Sequence, residues 1–360
     1  MAARFVAHVL LGAALLLAAA GAFNYAIDPY QQYRIPTRHE PRFYAAFQRF
    51  ENPGIARHYD FDRAIIGSSM TENLAGSEVD AAFEGGRTMN LSLSAMTAWD
   101  ARQLLEVALR RGTLRQVLYN LDFNAFSGAV DRTGFPEPLP LYLYDEAIWN
   151  DYPYLLSAAT LRKSAEIVAG RRVNRFSTDP DRPWYWAGAA TFSARRAVEG
   201  LDPADINRRF RQPPRTLEGM RASFTANVLA VVRAHPRVEF VFVYPPYSAL
   251  VWADFRQRGE LELTLAFKRE LFEALAPLPN VRIFDFQAER PVVENLDLYS
   301  DIYHFSPEVG RAILAAVAAG ANRVTRENLE SGIRELRRLA EDTDPARVIA
   351  SARTRPPSAP

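Results

Sequence analysis

The sequence contains no cysteine in its 360 residues. That removes disulfide frameworks, thiolate zinc sites, a cysteine nucleophile and lipid attachment through an N-terminal cysteine. It fits an oxidising compartment managed without disulfides and a reducing one equally well. A charge of one sign is also missing: the formal net charge is +1 and no basic block rises above the background, so binding to nucleic-acid phosphates has no footprint. Histidine is scarce. His8, His39, His58 and His235 are scattered without metal-ligand spacing, and there is no glycine-rich phosphate loop, so neither a metal nor a cofactor is expected. No internal repeat is found. What is present is a 48% hydrophobic, 24% charged and 12% aromatic chain, enough for a real core and too apolar for wholesale disorder. Its length allows one large domain with insertions or two modest ones.

One long apolar run stands at the N-terminus. Phe5 to Phe23 (FVAHVLLGAALLLAAAGAF) carries no formal charge and is interrupted only by His8. A bilayer-spanning helix needs about 20 apolar residues. Ala20-Gly21-Ala22 offers a signal-peptidase site, but the run exceeds the usual ~7–15-residue core of a signal peptide. Residues 1–25 are therefore read as a signal anchor, a single pass through a membrane. Arginines flank it on both sides (Arg4; Arg34, Arg38 and Arg42), so charge counting leaves the orientation open. A large downstream domain translocates largely regardless of charge, and the main domain is expected outside the cytoplasm, which for a bacterial inner membrane is the periplasm.

Residues 26–60 are aromatic, arginine-rich and proline-broken, and read as an ordered connector lying on the domain. From residue 61 short apolar segments alternate with helical ones. Strands are expected at 61–66 (FDRAII), 88–91, 117–121 (VLYNL), 238–244 (VEFVFVY) and 281–286 (VRIFDF). Helices are expected directly after Ser69 and at 98–111, 217–234, 261–275 and 307–319, the last capped by Ser306 with Pro307 in its first position. This alternation predicts an α/β fold, a doubly wound, mainly parallel sheet sandwiched between helices, over residues 61–320. Residues 126–216, rich in Pro, Trp and Tyr, read as an insertion or cap. Residues 321–360 read as an amphipathic helix, about 325–341, followed by a disordered tail (SARTRPPSAP).

Two motifs carry chemistry. Gly67-Ser68-Ser69 follows the first strand of the sheet, where open α/β sheets place ligands. A serine there turns its hydroxyl to the crevice, and backbone N–H groups at a helix start could hold an oxyanion. The same triplet could be an ordinary helix-capping turn. Asp301-Ile302-Tyr303-His304 precedes the last helix of the sheet domain. An aspartate three residues ahead of a histidine can orient the imidazole, which can then take a serine proton and return it to a leaving group.

In this order the two motifs resemble the SGNH (GDSL-like) hydrolases across about residues 61–320. The resemblance implies Ser69 as nucleophile, His304 as base, Asp301 as the orienting acid, and the Ser69 N–H as one oxyanion donor. The family's second block carries a glycine donor where this chain has Ser92, within Asn90-Leu91-Ser92-Leu93-Ser94. Its third block carries an asparagine where Asp122 or Asn124 stands; an ionised Asp122 would repel an oxyanion, whereas Asn124 could stabilise it. The usual aspartate before the nucleophile is Ser68. With both ends matched and the middle blocks altered, the chain is similar to the divergent, membrane-anchored branch linked to polysaccharide O-acetylation. Tyr244-Pro245-Pro246-Tyr247-Ser248, after the fourth strand, looks similar to the Pro-Pro-Tyr loop of that branch, or is plain strand-ending turn chemistry. The resemblance implies an acyl donor, a glycan acceptor and a membrane-bound acyltransferase as partners. Trp149, Tyr152, Tyr154, Trp184, Tyr185 and Trp186 could stack on sugar rings or simply pack, and Asp122, Tyr247, Trp184 and Trp186 are the candidate substrate contacts. The expected activity is that of a serine esterase or O-acetyltransferase. A catalytically silent glycan-binding or scaffold protein is the alternative.

Overall fold

The structure is a computed structural model that describes residues 1–134, 138–172, 175–210 and 212–355. Its centre is a five-stranded sheet of β1 (Arg63–Ile66), β2 (Thr88–Asn90), β3 (Gln116–Asn120), β4 (Glu239–Tyr244) and β5 (Val281–Asp285). All neighbours are parallel and the order is β2-β1-β3-β4-β5, the flavodoxin-like doubly wound order. The strands lie where the apolar runs predicted them. Because a strand turns successive side chains to opposite faces, Ala64, Ile66, Val117, Tyr119, Phe240 and Phe242 pack into one core. Ile65, Leu118, Val241, Val243 and Phe284 pack into a second, on the other side. A sheet buried on both faces reads as continuous apolar sequence rather than alternation, which is why VEFVFVY was visible.

The helices before and around the first strands are α1 (Ala2–Ile27), α2 (Gln48–His58), α3 (Gly76–Ala82) and α4 (Ala98–Arg110). The 126–216 segment adds α5 (Tyr152–Leu155), α6 (Ala158–Val168) and α7 (Ala194–Ala197) between short turns. Next come α8 (Leu217–Phe224) and α9 (Ala230–Ala234), joined through a π-helical turn at Thr225–Leu229. The rest are α10 (Ala249–Gln257), α11 (Leu261–Leu275), α12 (Arg290–Val293), α13 (Pro307–Ala318), α14 (Leu329–Asp342) and α15 (Pro345–Thr354). α3 and α13 cover one face of the sheet, with Leu74, Val79, Leu314 and Val317 in the second core, while α4, α8, α10 and α11 cover the other.

Three expectations are corrected. No helix begins at Ser69: the chain makes turns from there to Leu74, and α3 starts at Gly76. The 26–60 segment does more than lie on the domain. Tyr30, Phe43 and Tyr44 are in the main core. α2, hidden in the sequence by Pro53 and its polar residues, buries Gln48, Glu51 and Asn52 against hydrogen-bond partners. The C-terminal tail is not wholly disordered. Residues 351–354 belong to α15, which Asp344 caps and whose Arg353 donates to the Leu201 carbonyl; residues 356–360 lie outside the described part.

α1 is 26 residues long, and its apolar side chains are exposed, with an 18-residue window of mean hydropathy 2.2 and none of it buried. By length and composition it can cross a membrane. Its far end is anchored. Asn24 is buried, donates to the Leu155 carbonyl and accepts from Ser164 Oγ. Asp28 ends the helix in the left-handed region, φ 50°, and its carboxylate accepts from the N–H groups of Gln32, Tyr33 and Arg34 and from the Tyr154 hydroxyl. Beyond it, Gly54 lets α2 approach the Gln31 backbone, where a Cβ would come within 2.2 Å of that carbonyl.

Candidate functional site

In a doubly wound sheet the strand order reverses between β1 and β3, and their carboxyl ends open a crevice there. Ser69 follows β1 and Asp122 follows β3, so both lie at this switch point. Gly67 makes the approach possible: a Cβ on it would lie 2.4 Å from Thr71 Oγ1 and 2.7 Å from Asn120 Cβ. The turn after Ser69 is held by Thr71, whose N–H and hydroxyl both donate to the Ser68 carbonyl.

Ser69, His304 and Asp301 come together. Ser69 Oγ is 2.6 Å from His304 Nε2, and His304 Nδ1 is 2.7 Å from Asp301 Oδ2. With a carboxylate at Nδ1, the neutral ring carries its proton there and leaves Nε2 to accept from the serine hydroxyl. The loop carrying the pair closes on itself. Asp301 Oδ1 accepts from the N–H groups of Tyr303 and His304, the Ser300 N–H donates to the His304 carbonyl, and the Ser248 N–H donates to that of Ile302.

Electrostatics separate the members. Burial lowers the His304 pKa, but the hydrogen bond and charge of Asp301, with Glu72 and Asp122 behind them, outweigh it and leave the imidazole above its ordinary value. Burial raises that of Asp301, but its bonds to His304 and to two N–H groups hold it below the usual carboxylate range. Glu72 and Asp122 are buried carboxylates raised by loss of solvent. Glu72 accepts from Gln48 Nε2 and Ser94 Oγ beneath the site.

The cleft over Ser69 measures about 890 Å³ and includes Glu72, Ala95, Asp122, Asn124, Trp186 and Phe210. Trp186 donates its ring N–H to the Ser69 carbonyl at 3.2 Å and sets its ring edge-on to His304, with centroids 5.4 Å apart. Its backbone N–H and that of Ala187 are tied to Asn73 Oδ1, so the insertion grips the turn that carries Ser69.

Other expected site residues go elsewhere. Trp184 is fully buried and donates to the Asn90 carbonyl, so it is core and not a sugar platform. Tyr154 is equally buried, under α1. Trp149 and Tyr152 are exposed but lie beside α1, outside the cleft. Tyr185, also exposed, packs against Arg182 and is not among the cleft residues. Ser92 is buried, with its N–H engaged by Asn90 Oδ1 and its hydroxyl by Thr71, which leaves it no donor for an oxyanion. Asn124 does line the cleft, where Arg215 donates to its side-chain oxygen.

Sequence reasoning named the Ser69 N–H but missed a second backbone N–H at the cleft, that of Ala95. Ala95 lines the cleft at φ 53°, and its N–H, like that of Ser69, meets no acceptor among the described residues. Nothing local marks it, since the left-handed region is ordinarily taken by Gly, Asn or Asp.

Tyr247 is buried rather than substrate-facing. Its hydroxyl donates to Asp122 at 2.6 Å and accepts from the Phe123 N–H at 3.1 Å. Tyr247→Phe should therefore lower stability by about 1–3 kcal/mol, because two buried groups lose a partner. Thermal unfolding checks this; an unchanged midpoint would mean that water replaces the hydroxyl.

No protein-family model and no curated protein matches the chain. Among solved structures, one provisionally described as a platelet activating factor from Streptococcus pneumonia aligns over 77% of this chain and 91% of its own, at a TM-score of 0.37 and 10% identity. No chemistry follows from likeness at that level.

Proposed function

We propose that this chain is a membrane-anchored serine acyl-transfer enzyme. The supporting observation is the hydrogen-bonded series Ser69–His304–Asp301 in an open cleft at the switch point. Ser69 Oγ attacks the carbonyl of an acyl ester while His304 Nε2 takes its proton. The tetrahedral oxyanion faces the N–H groups of Ser69 and Ala95. His304 then returns the proton to the departing alcohol, and Asp301 stabilises the imidazolium between the two steps. In the second half-reaction water or another hydroxyl attacks the acyl-serine.

An acetyl group passed to an envelope glycan outside the cytoplasm is the specific form of this reading. It is supported by the shape of the site. Past Trp186 and Phe210 the cleft continues into a second hollow of about 470 Å³ bordered by Thr191, Arg196 and Arg209, room for an extended, hydroxyl-rich acceptor. The rival reading, a silent glycan-binding scaffold, is favoured by the engaged N–H of Ser92 and the carboxylate of Asp122 beside the site.

Stoichiometric labelling of wild type, but not of Ser69→Ala, by a serine-directed fluorophosphonate would support the enzyme. Glycan binding with neither labelling nor turnover of any small acyl ester would support the scaffold.

The pH dependence tests the base. His304 works only when neutral and its pKa is raised, so kcat/KM for a small acetyl ester should rise with pH through a midpoint above the ordinary histidine value of about 6.5. Asp301→Asn should move that midpoint down while lowering the plateau, because the interaction that raised it is gone. The linked stability has the opposite sense. The His304 contribution is full below the unfolded value and fades as pH climbs through the folded one. A flat profile from pH 5 to 8 would exclude His304 as the base.

A further inference from the structure

Among the described residues, the large apolar side chains exposed outside α1 concentrate in one stretch. Residues 148–168 show Ile148, Trp149, Tyr152, Leu156, Leu161 and Val168 to solvent, Trp149 at 84% exposure, while others such as Ile35 and Val130 stand singly. Isolated exposed apolar residues are ordinary, but a contiguous patch calls for a partner. This patch adjoins the membrane helix itself. Ile148, Trp149, Tyr152 and Leu156 share a crevice with Leu17, Ala18, Gly21 and Ala22 of α1. α6 contributes Leu161 and Val168, seven residues apart and thus on one helical face, while the adjacent face holds Thr160, Ser164 and Ile167 in the interior.

Depth follows from the helix. At ~1.5 Å per residue, Phe5 to Phe23 spans about 28 Å, close to the ~30 Å of a hydrocarbon core. Leu17 to Ala22 then lie roughly 9 to 2 Å inside the boundary on the domain side, and the residues sharing their crevice lie within that depth. We infer that Ile148, Trp149, Tyr152 and Leu156 form a collar that dips into the adjoining leaflet, with the lipid bilayer as its partner. The inference rests on reading α1 as a membrane span.

The chemistry suits the place. Trp and Tyr collect at membrane–water boundaries, where an apolar ring and a polar edge are both satisfied. Nearer the domain, cations follow in the order that headgroup phosphates require: Arg34 packs over the Tyr25 ring at 4.5 Å, and Arg38 is exposed next to His39, whose ring nitrogen lies 3.1 Å from the Ile27 carbonyl. The collar has a consequence for α1, because apolar contacts on its flank add to one helix's worth of insertion and set the tilt of the domain.

The absence of cysteine makes the test direct. Full-length single-cysteine variants Trp149→Cys and Tyr152→Cys, with Leu11→Cys in the span and Ser331→Cys on the remote α14, are labelled with a bimane probe. They are reconstituted in vesicles of phosphatidylcholine and phosphatidylglycerol carrying acyl-chain bromines, shallow or deep. The collar predicts that shallow bromines remove at least half the emission at 149 and 152, that deep ones quench 11, and that neither touches 331. Quenching at 11 with none at 149 and 152 overturns the collar and leaves the span. No quenching at 11 overturns the span and the collar with it. Protection of 149 from aqueous iodide without bromine quenching means that a protein covers the patch, which also overturns it.

Discussion

Ser69→Ala should cut turnover of an acyl ester by at least about a thousandfold while leaving the melting temperature nearly unchanged. The loss follows from chemistry: among the described residues no other hydroxyl lies on His304 Nε2, so the attacking atom is gone, and only binding and the backbone donors remain. The small change in stability follows from position, since Ser69 is half-exposed at the cleft and its one side-chain bond is to a partly accessible ring. His304→Ala should fall to a similar level. The double variant should be no worse than either single one, because a nucleophile and its base act as a unit. Ser68→Ala is the control. Its hydroxyl is buried behind the turn and meets Asn120 Nδ2 only at 3.5 Å, so the change should be mild. Activity lost in Ser68→Ala and kept in Ser69→Ala would move the nucleophile by one residue and break the proposal.

The second large effect is expected far from the cleft. Asp28→Ala should destabilise the detergent-solubilised protein by about 3 kcal/mol or more. Three backbone N–H groups and the Tyr154 hydroxyl lose their acceptor together, and each buried donor left unpaired costs about 1–3 kcal/mol. Alanine at φ 50° adds about 1–2 kcal/mol of left-handed backbone strain that Asp and Asn tolerate better. Asp28→Asn should therefore be milder. It keeps the backbone preference and one acceptor, but it points an NH₂ group at donors on the other side. Thermal unfolding ranks the two, and equal midpoints for alanine and wild type would show that the junction is solvated in solution.

The sheet was legible because strands buried on both faces are continuous apolar runs, and the candidates were named because Ser69 closely follows a strand and the Asp301-x-x-His304 pair directly precedes a helix. Irregular chain gave no such ruler. Trp184 and Trp186 are two residues apart with the same chemistry, yet one is sealed in the core on the Asn90 carbonyl and the other borders His304. In a strand or helix the period decides which neighbour faces inward; in a turn-rich insertion only the tertiary packing does. The middle of the site failed for a different reason. A motif block marks which side chain stands at a position, whereas a backbone N–H donor depends on what its neighbours accept, and Asn90 takes the one at Ser92. α2 escaped notice because Gln48, Arg49, Glu51 and Asn52 are buried along with Ile55 and Ala56, so no apolar stripe announces it.

The junction at Asp28 also sets how far this protein can reach. Many surface-tethered catalysts hang on a leash, and a disordered linker lets the active site sweep a volume that grows with its length. Here the chain passes from α1 into buried Tyr30, Gln31 and Gln32 with no slack between them. With α1 embedded, Ser69 rides at one height and one attitude above the lipid, as a tool bit is held in a chuck. Such a catalyst cannot forage. On the function proposed above, an acceptor would have to be delivered to that height, as a growing polymer leaving the membrane would be, and lengthening the junction by a few flexible residues should slow modification of a tethered substrate while sparing that of a soluble one.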